Sequence, residues 1–123
     1  MRSRNLVHSF RCAGAGLWYV LTTQRNARIH LLIAAAAVAV GLWLGLTPTE
    51  WAVLALTIGF VLASEMLNTV AETLTDLISP GYHPLARVIK DVTAGAVLLS
   101  AITAVAVGLA ILGPPLWHRL LSK

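Results

Sequence analysis

Glu65-Met-Leu-Asn68-Thr-Val-Ala-Glu72-Thr-Leu-Thr-Asp76 carries three carboxylates and an amide at spacings of 3, 4 and 4 inside a long apolar run. At about 100° per residue, a helix gathers these four side chains into an arc of roughly 80° on one face. Ionisable groups in apolar helices of membrane proteins cost roughly 2.5–3.5 kcal/mol each near the bilayer centre, and so they mark a functional site by default. The chemistry that suits them is phosphoryl transfer to a membrane alcohol. Mg²⁺ prefers oxygen ligands and takes one or two carboxylates together with nucleotide phosphates. A lysine adds a point charge for those phosphates, and a carboxylate below the surface accepts the hydroxyl proton.

The elements that must position this stripe follow from composition. The chain has 123 residues, enough for a single domain over 1–123, with 58% hydrophobic and 11% charged residues and a mean hydropathy of +0.80. An excess of that size points to a bilayer. The net charge of +4 is spread over basic residues that flank apolar segments, so it is read as topology and lipid-headgroup contact and not as a nucleic-acid surface. One cysteine, Cys12, excludes an intrachain disulfide. No cleavable signal peptide is expected, because Arg2, Arg4, Arg11, Arg25 and Arg28 interrupt the first 28 residues.

The expected fold is an all-α membrane protein with an N-terminal amphipathic surface helix and three transmembrane helices. The surface helix covers about 4–23, with Leu6, Val7, Phe10, Leu17, Trp18 and Leu21 apolar and Arg4, His8 and Arg11 polar. The spans are expected at about 29–46, 51–78 and 92–112. Thr47-Pro48-Thr49 separates the first two, with Thr47 or Thr49 as N-cap, and Ser79-Pro80-Gly81-Tyr82-His83-Pro84 separates the second and third. The last span is expected to end at Gly113-Pro114-Pro115. Gly41 and Gly45 form a small-xxx-small pair suited to close helix packing.

Five basic residues precede the first span, Arg87 and Lys90 lie before the third, and the first loop has none. The positive-inside rule then puts the N-terminus and the second loop in the cytoplasm, against a mild counter-signal from Arg119 and Lys123. Trp51 and Trp117 fall where an outer aromatic belt is expected. Counting from Trp51 at 1.5 Å per residue, Glu65 lies about 21 Å deep and Glu72 about 31 Å. Glu65 is therefore submerged, while Glu72 and Asp76 reach the cytoplasmic boundary where Lys90 and Asp91 begin the third span. Four of the five acidic residues, with Asn68, Lys90 and His83, are expected to converge on one cytoplasmic pocket.

Two rival readings stand beside this one. Asp76 and Glu72 could be solvated residues at a helix end, but that account does not cover Glu65. A small oligomeric proton-coupled transporter could use Glu65, although such proteins carry polar breaks in a second span, and spans one and three have none. His30 and His83 are more often hydrogen-bonding boundary residues than ligands. The chain has no GxxxxGK[ST] phosphate loop.

Glu65-x-x-Asn68-Thr69-x-x-Glu72-x-x-x-Asp76, then Tyr82-His83-Pro84-Leu85-Ala86 and Lys90-Asp91-x-x-Ala94-Gly95-Ala96-Val97, resembles the small bacterial membrane diacylglycerol kinases, a family that includes undecaprenol kinases. The resemblance runs from Asn5 to about Pro114. The Tyr82–Ala86 run and Thr23-Gln24-Arg25-Asn26…Ile29-His30 are more similar to the undecaprenol kinase branch, which implies undecaprenol as acceptor ahead of diacylglycerol. The resemblance implies Glu65 as base on the lipid hydroxyl, Asn68 as its partner in the site, and Glu72 on Mg²⁺ bridging the ATP phosphates. Gly81, Tyr82, His83, Lys90 and Asp91, with Asp76, would line the ATP site. Asn26, Arg28, His30 and Ala94, with Glu65 and an imperfectly aligned Arg4, would meet the lipid. It further implies a homotrimer in the bacterial inner membrane, with sites shared between subunits and facing the cytoplasm. One position departs from the pattern: Gln24 stands where the well-known members carry a second metal-binding glutamate, so it offers an oxygen without a charge.

Overall fold

The structure, a computed structural model, describes residues 5–122, and among them there are four helices and no strand. Helix α1 spans Leu6–Thr23, α2 Arg25–Leu44, α3 Pro48–Ile78 and α4 Pro84–Leu121. Arg4, expected near the lipid, lies outside the described residues.

Each boundary has a local cause. Asn5 caps α1, its side chain accepting from His8 N–H at 2.8 Å. A single extended residue, Gln24, separates α1 from α2. Helix α2 ends on Gly45, whose φ of +73° is the left-handed conformation that glycine adopts without steric cost. Between the two candidate caps of α3 the structure selects Thr47. Its hydroxyl accepts from Glu50 N–H at 3.2 Å while the Glu50 carboxylate accepts from Thr47 N–H at 2.9 Å, a reciprocal capping box followed by Pro48 in the first turn. His83 caps α4 through Nδ1, which accepts from Leu85 N–H at 3.1 Å.

Helices α2, α3 and α4 are each long and apolar enough to cross a membrane. The apolar stretch expected as the third span is the middle of a longer helix. Helix α4 starts at Pro84 and, contrary to expectation, continues through Pro114 and Pro115 to Leu121. At about 1.5 Å per residue its 38 residues reach about 57 Å, well past a hydrocarbon core of about 30 Å. Proline within such helices is tolerated because neighbouring groups can satisfy the freed carbonyls.

Packing is polar-in and apolar-out. The α3–α4 pair makes the most extensive contact, α2 lies against both, and α1 touches α2 and α3. The largest fully buried side chains are Glu65 and Ser100, whereas Leu32, Leu56, Val105 and Leu109 are exposed. A chain that hides a carboxylate and displays leucine has hydrocarbon as its solvent, and helix association there relies on small residues and polar contacts. The glycine pair divides its duties. A Cβ on Gly41 would come within 2.9 Å of both Leu46 and the Trp51 ring, so close packing uses Gly41, while Gly45 ends the helix.

Candidate active site

Helix α3 delivers the polar stripe as a ladder, and a different element supplies each partner. Deepest is Glu65, 1% exposed. The Nε2 of His30, on α2, lies 3.1 Å from Glu65 Oε1. That approach lacks the alignment of a hydrogen bond, so Oε1 is buried without a donor. Thr69 Oγ1 donates to the Glu65 carbonyl at 2.9 Å, which occupies a hydroxyl that would otherwise be orphaned beside the carboxylate.

One turn further along, Asn68 Nδ2 donates to Glu72 Oε1 at 3.3 Å, both residues being half-buried. Asn68 Oδ1 is buried with no donor, so the amide orients Glu72 and leaves an oxygen facing the same space. At the helix end, Lys90 Nζ on α4 donates to Asp76 Oδ1 at 2.9 Å, and both groups are largely exposed. Asp91 sits on α4 and pairs with Arg87 one turn back, at 3.2 Å.

The acidic residues are each met by a different partner along the ladder. Among the described residues no three His, Cys, Asp or Glu side chains gather as a metal cluster, and the carboxylates are dealt out in pairs along about 17 Å of α3 and the start of α4. This is the donor set Mg²⁺ can accept: one half-buried carboxylate with an amide oxygen nearby, the remaining positions being left for phosphate and water.

The other expected positions separate by role. Gln24 is the hinge between α1 and α2. Its backbone N–H donates to Val20 at 2.8 Å, and its side chain makes no capping bond. Arg28 Nη1 donates to the Leu21 and Thr22 carbonyls at 3.0 and 3.2 Å, so its guanidinium closes the C-terminus of α1. Asn26 and Ala94 are exposed. Tyr82 is exposed in the turn, and the Gly81 carbonyl accepts from Ser79 Oγ at 3.3 Å. Sequence reasoning used Arg87 only as a topology marker; its i,i+4 spacing to Asp91 was the signal for the pair. It also placed His30 at the lipid boundary without pairing it with Glu65. From His30 an apolar groove of about 380 Å³ runs between α2, α3 and α4 past Ala34, Val61, Ala101 and Gly108.

Three helices of spanning length around a buried carboxylate, with a polar ladder leading to one end, define an all-helical integral membrane protein with a candidate site at that end of its bundle. Comparison with known proteins narrows this. Residues 11–112 match the family model for prokaryotic diacylglycerol kinase, and the chain belongs to that family. It is 49% identical over 113 residues to a diacylglycerol kinase of Synechocystis sp., covering 91% of this chain and 65% of that relative, so it spans just under two thirds of the relative's length. It is 40% identical over 108 residues to an undecaprenol kinase of Bacillus subtilis, covering 88% of each. With its three spanning helices, this membership makes the chain a bacterial membrane protein.

Proposed function

We propose that the chain is a membrane lipid kinase that transfers the γ-phosphoryl group of ATP to a lipid alcohol, giving a lipid phosphate and ADP. The observation that carries this reading is the ordering of the ladder. A buried carboxylate, Glu65, precedes an oriented carboxylate, Glu72, which precedes a lysine, Lys90, at the exposed end. A base belongs toward the acyl region, and phosphate-binding groups belong toward water. Family membership disfavours the proton-coupled transporter, which would use Glu65 alone.

In the proposed step Glu65 accepts the hydroxyl proton as the lipid oxygen attacks the γ-phosphorus. The bond from that phosphorus to the bridging β–γ oxygen breaks, and ADP leaves with the electron pair. Asn68 keeps the Glu72 carboxylate oriented. Glu72 would hold Mg²⁺ against the phosphates, with Gln24 as a neutral second donor; when bound, this ion neutralises phosphate charge. Lys90, restrained by Asp76, faces the phosphates, while Gly81, Tyr82, His83 and Asp91 flank the nucleotide. Asn26, Arg28, His30 and Ala94 border the lipid. The site faces the cytoplasm of the inner membrane, an orientation that the basic residues before α2 and at the start of α4 support.

The acceptor proposed is undecaprenol, supported by the Tyr82–Ala86 and Thr23–His30 runs. The higher overall identity to a protein named diacylglycerol kinase favours diacylglycerol as the second reading. A homotrimer accords with the exposure of helix faces over the whole length of α2 and α4, and cross-linking that stops at dimers would contradict it. The deciding assay is purified protein in detergent with radiolabelled ATP and each lipid in turn. Lipid-dependent incorporation that falls steeply, to a small residual rate, in Glu65→Gln and Glu72→Gln supports the kinase, whereas no incorporation into any lipid sinks it.

A further inference from the structure

Glu65 presents a physical problem that its own helix does not solve. Its side chain is 2% exposed, Oε1 has no aligned donor, and the neighbouring hydroxyl of Thr69 is turned to the backbone. A buried carboxylate oxygen without a donor is costly. Among the described residues, the ionisable side chain that approaches it from another helix is His30, in the second turn of α2, whose Nε2 stands 3.1 Å from Oε1. Along α3, the nearest ionisable group is Glu72, and it is engaged with Asn68. Catalytic hydrogen bonds that are poorly aligned without substrate commonly tighten when substrate binds.

We propose that His30 is the positioning residue for Glu65. Its Nε2–H holds Oε1 and leaves Oε2 for the acceptor hydroxyl. This rests on the kinase reading and adds a helix to the site: α2 then aligns the base and also forms a wall of the apolar groove that begins at the same imidazole. One residue couples the seating of the lipid to the orientation of the group that deprotonates it.

The test compares the full-length parent with His30→Leu, His30→Gln, Glu65→Gln and the His30→Leu/Glu65→Gln double variant, all in detergent with the accepted lipid. His30→Leu removes the donor and should lower kcat by about 10–100-fold, as expected when a catalytic group is misplaced by about 1 Å, with KM for ATP and lipid changing less than about 3-fold. His30→Gln retains an N–H near the Nε2 position and should recover activity to within about 5-fold of the parent. In the Glu65→Gln background, His30→Leu should cost nothing further, because both changes disable one unit. A purely structural histidine would instead lower the unfolding midpoint and reduce activity in both backgrounds.

Parental kcat in His30→Leu, a loss confined to KM, or a glutamine variant as poor as the leucine one would each overturn the proposal while leaving the kinase reading intact. A parent inactive on every lipid would remove the kinase reading, and this inference with it.

Discussion

Lys90 Nζ and Asp76 Oδ1 meet at 2.9 Å across the Ser79–His83 turn, so the end of α3 and the start of α4 are tied at the point where nucleotide phosphates are proposed to bind. The pair is largely exposed, and its contribution to stability should stay below about 1 kcal/mol. Its value lies in holding the ammonium in place. Lys90→Met should therefore reduce kcat/KM for ATP by roughly 10–100-fold, the loss of one charged hydrogen bond of about 1.5–3 kcal/mol. Asp76→Asn should raise KM for ATP by about 5-fold or less with kcat nearly unchanged, as expected for the loss of uniform binding. Steady-state kinetics over an ATP series checks both, and an Asp76→Asn defect confined to kcat would remove Asp76 from this role.

Gln24 makes no side-chain cap on α2, so its amide can be exchanged without loss of helix structure. If it faces the metal, Gln24→Glu adds a charged oxygen and should lower the Mg²⁺ concentration for half-maximal activity by several-fold, on the order of 1 kcal/mol. A Mg²⁺ titration of both proteins decides it. An unchanged midpoint would place Gln24 away from the metal.

Glycine substitutions should separate by position. Gly41→Ala drives a Cβ to 2.9 Å from Leu46 and Trp51 and should destabilise by about 1–3 kcal/mol. Gly45→Ala should cost about 1 kcal/mol because alanine resists a φ of +73°. Gly59 has nothing within 4 Å of an added Cβ, so Gly59→Ala should gain about 0.5–1 kcal/mol. Unfolding midpoints in one detergent give the order, which should run Gly59→Ala above parent above the other two.

Thr47→Ala removes the hydroxyl from the capping box at the far end of α3 and should cost about 1 kcal/mol of stability. Activity measured below the unfolding transition should match the parent. A kinetic defect there would mean that the loop between α2 and α3 is coupled to the site.

The sequence by itself determined the helical class, the three apolar spans and the face shared by Glu65, Asn68, Glu72 and Asp76, because helical periodicity and hydropathy are local properties of the chain. Resemblance supplied the family, and the match over residues 11–112 upheld it. Tertiary structure decided who meets whom. Helix register against a neighbour depends on packing, so neither the His30–Glu65 approach nor the Lys90–Asp76 bond follows from spacing. The same holds for Arg28, whose bonds to the Leu21 and Thr22 carbonyls at the end of α1 depend on how α2 turns back from α1. Pro114 and Pro115 read as a stop because proline lacks an N–H, yet α4 passes through both. A local rule marks where a helix is weakened, and only the surrounding fold determines whether it ends there.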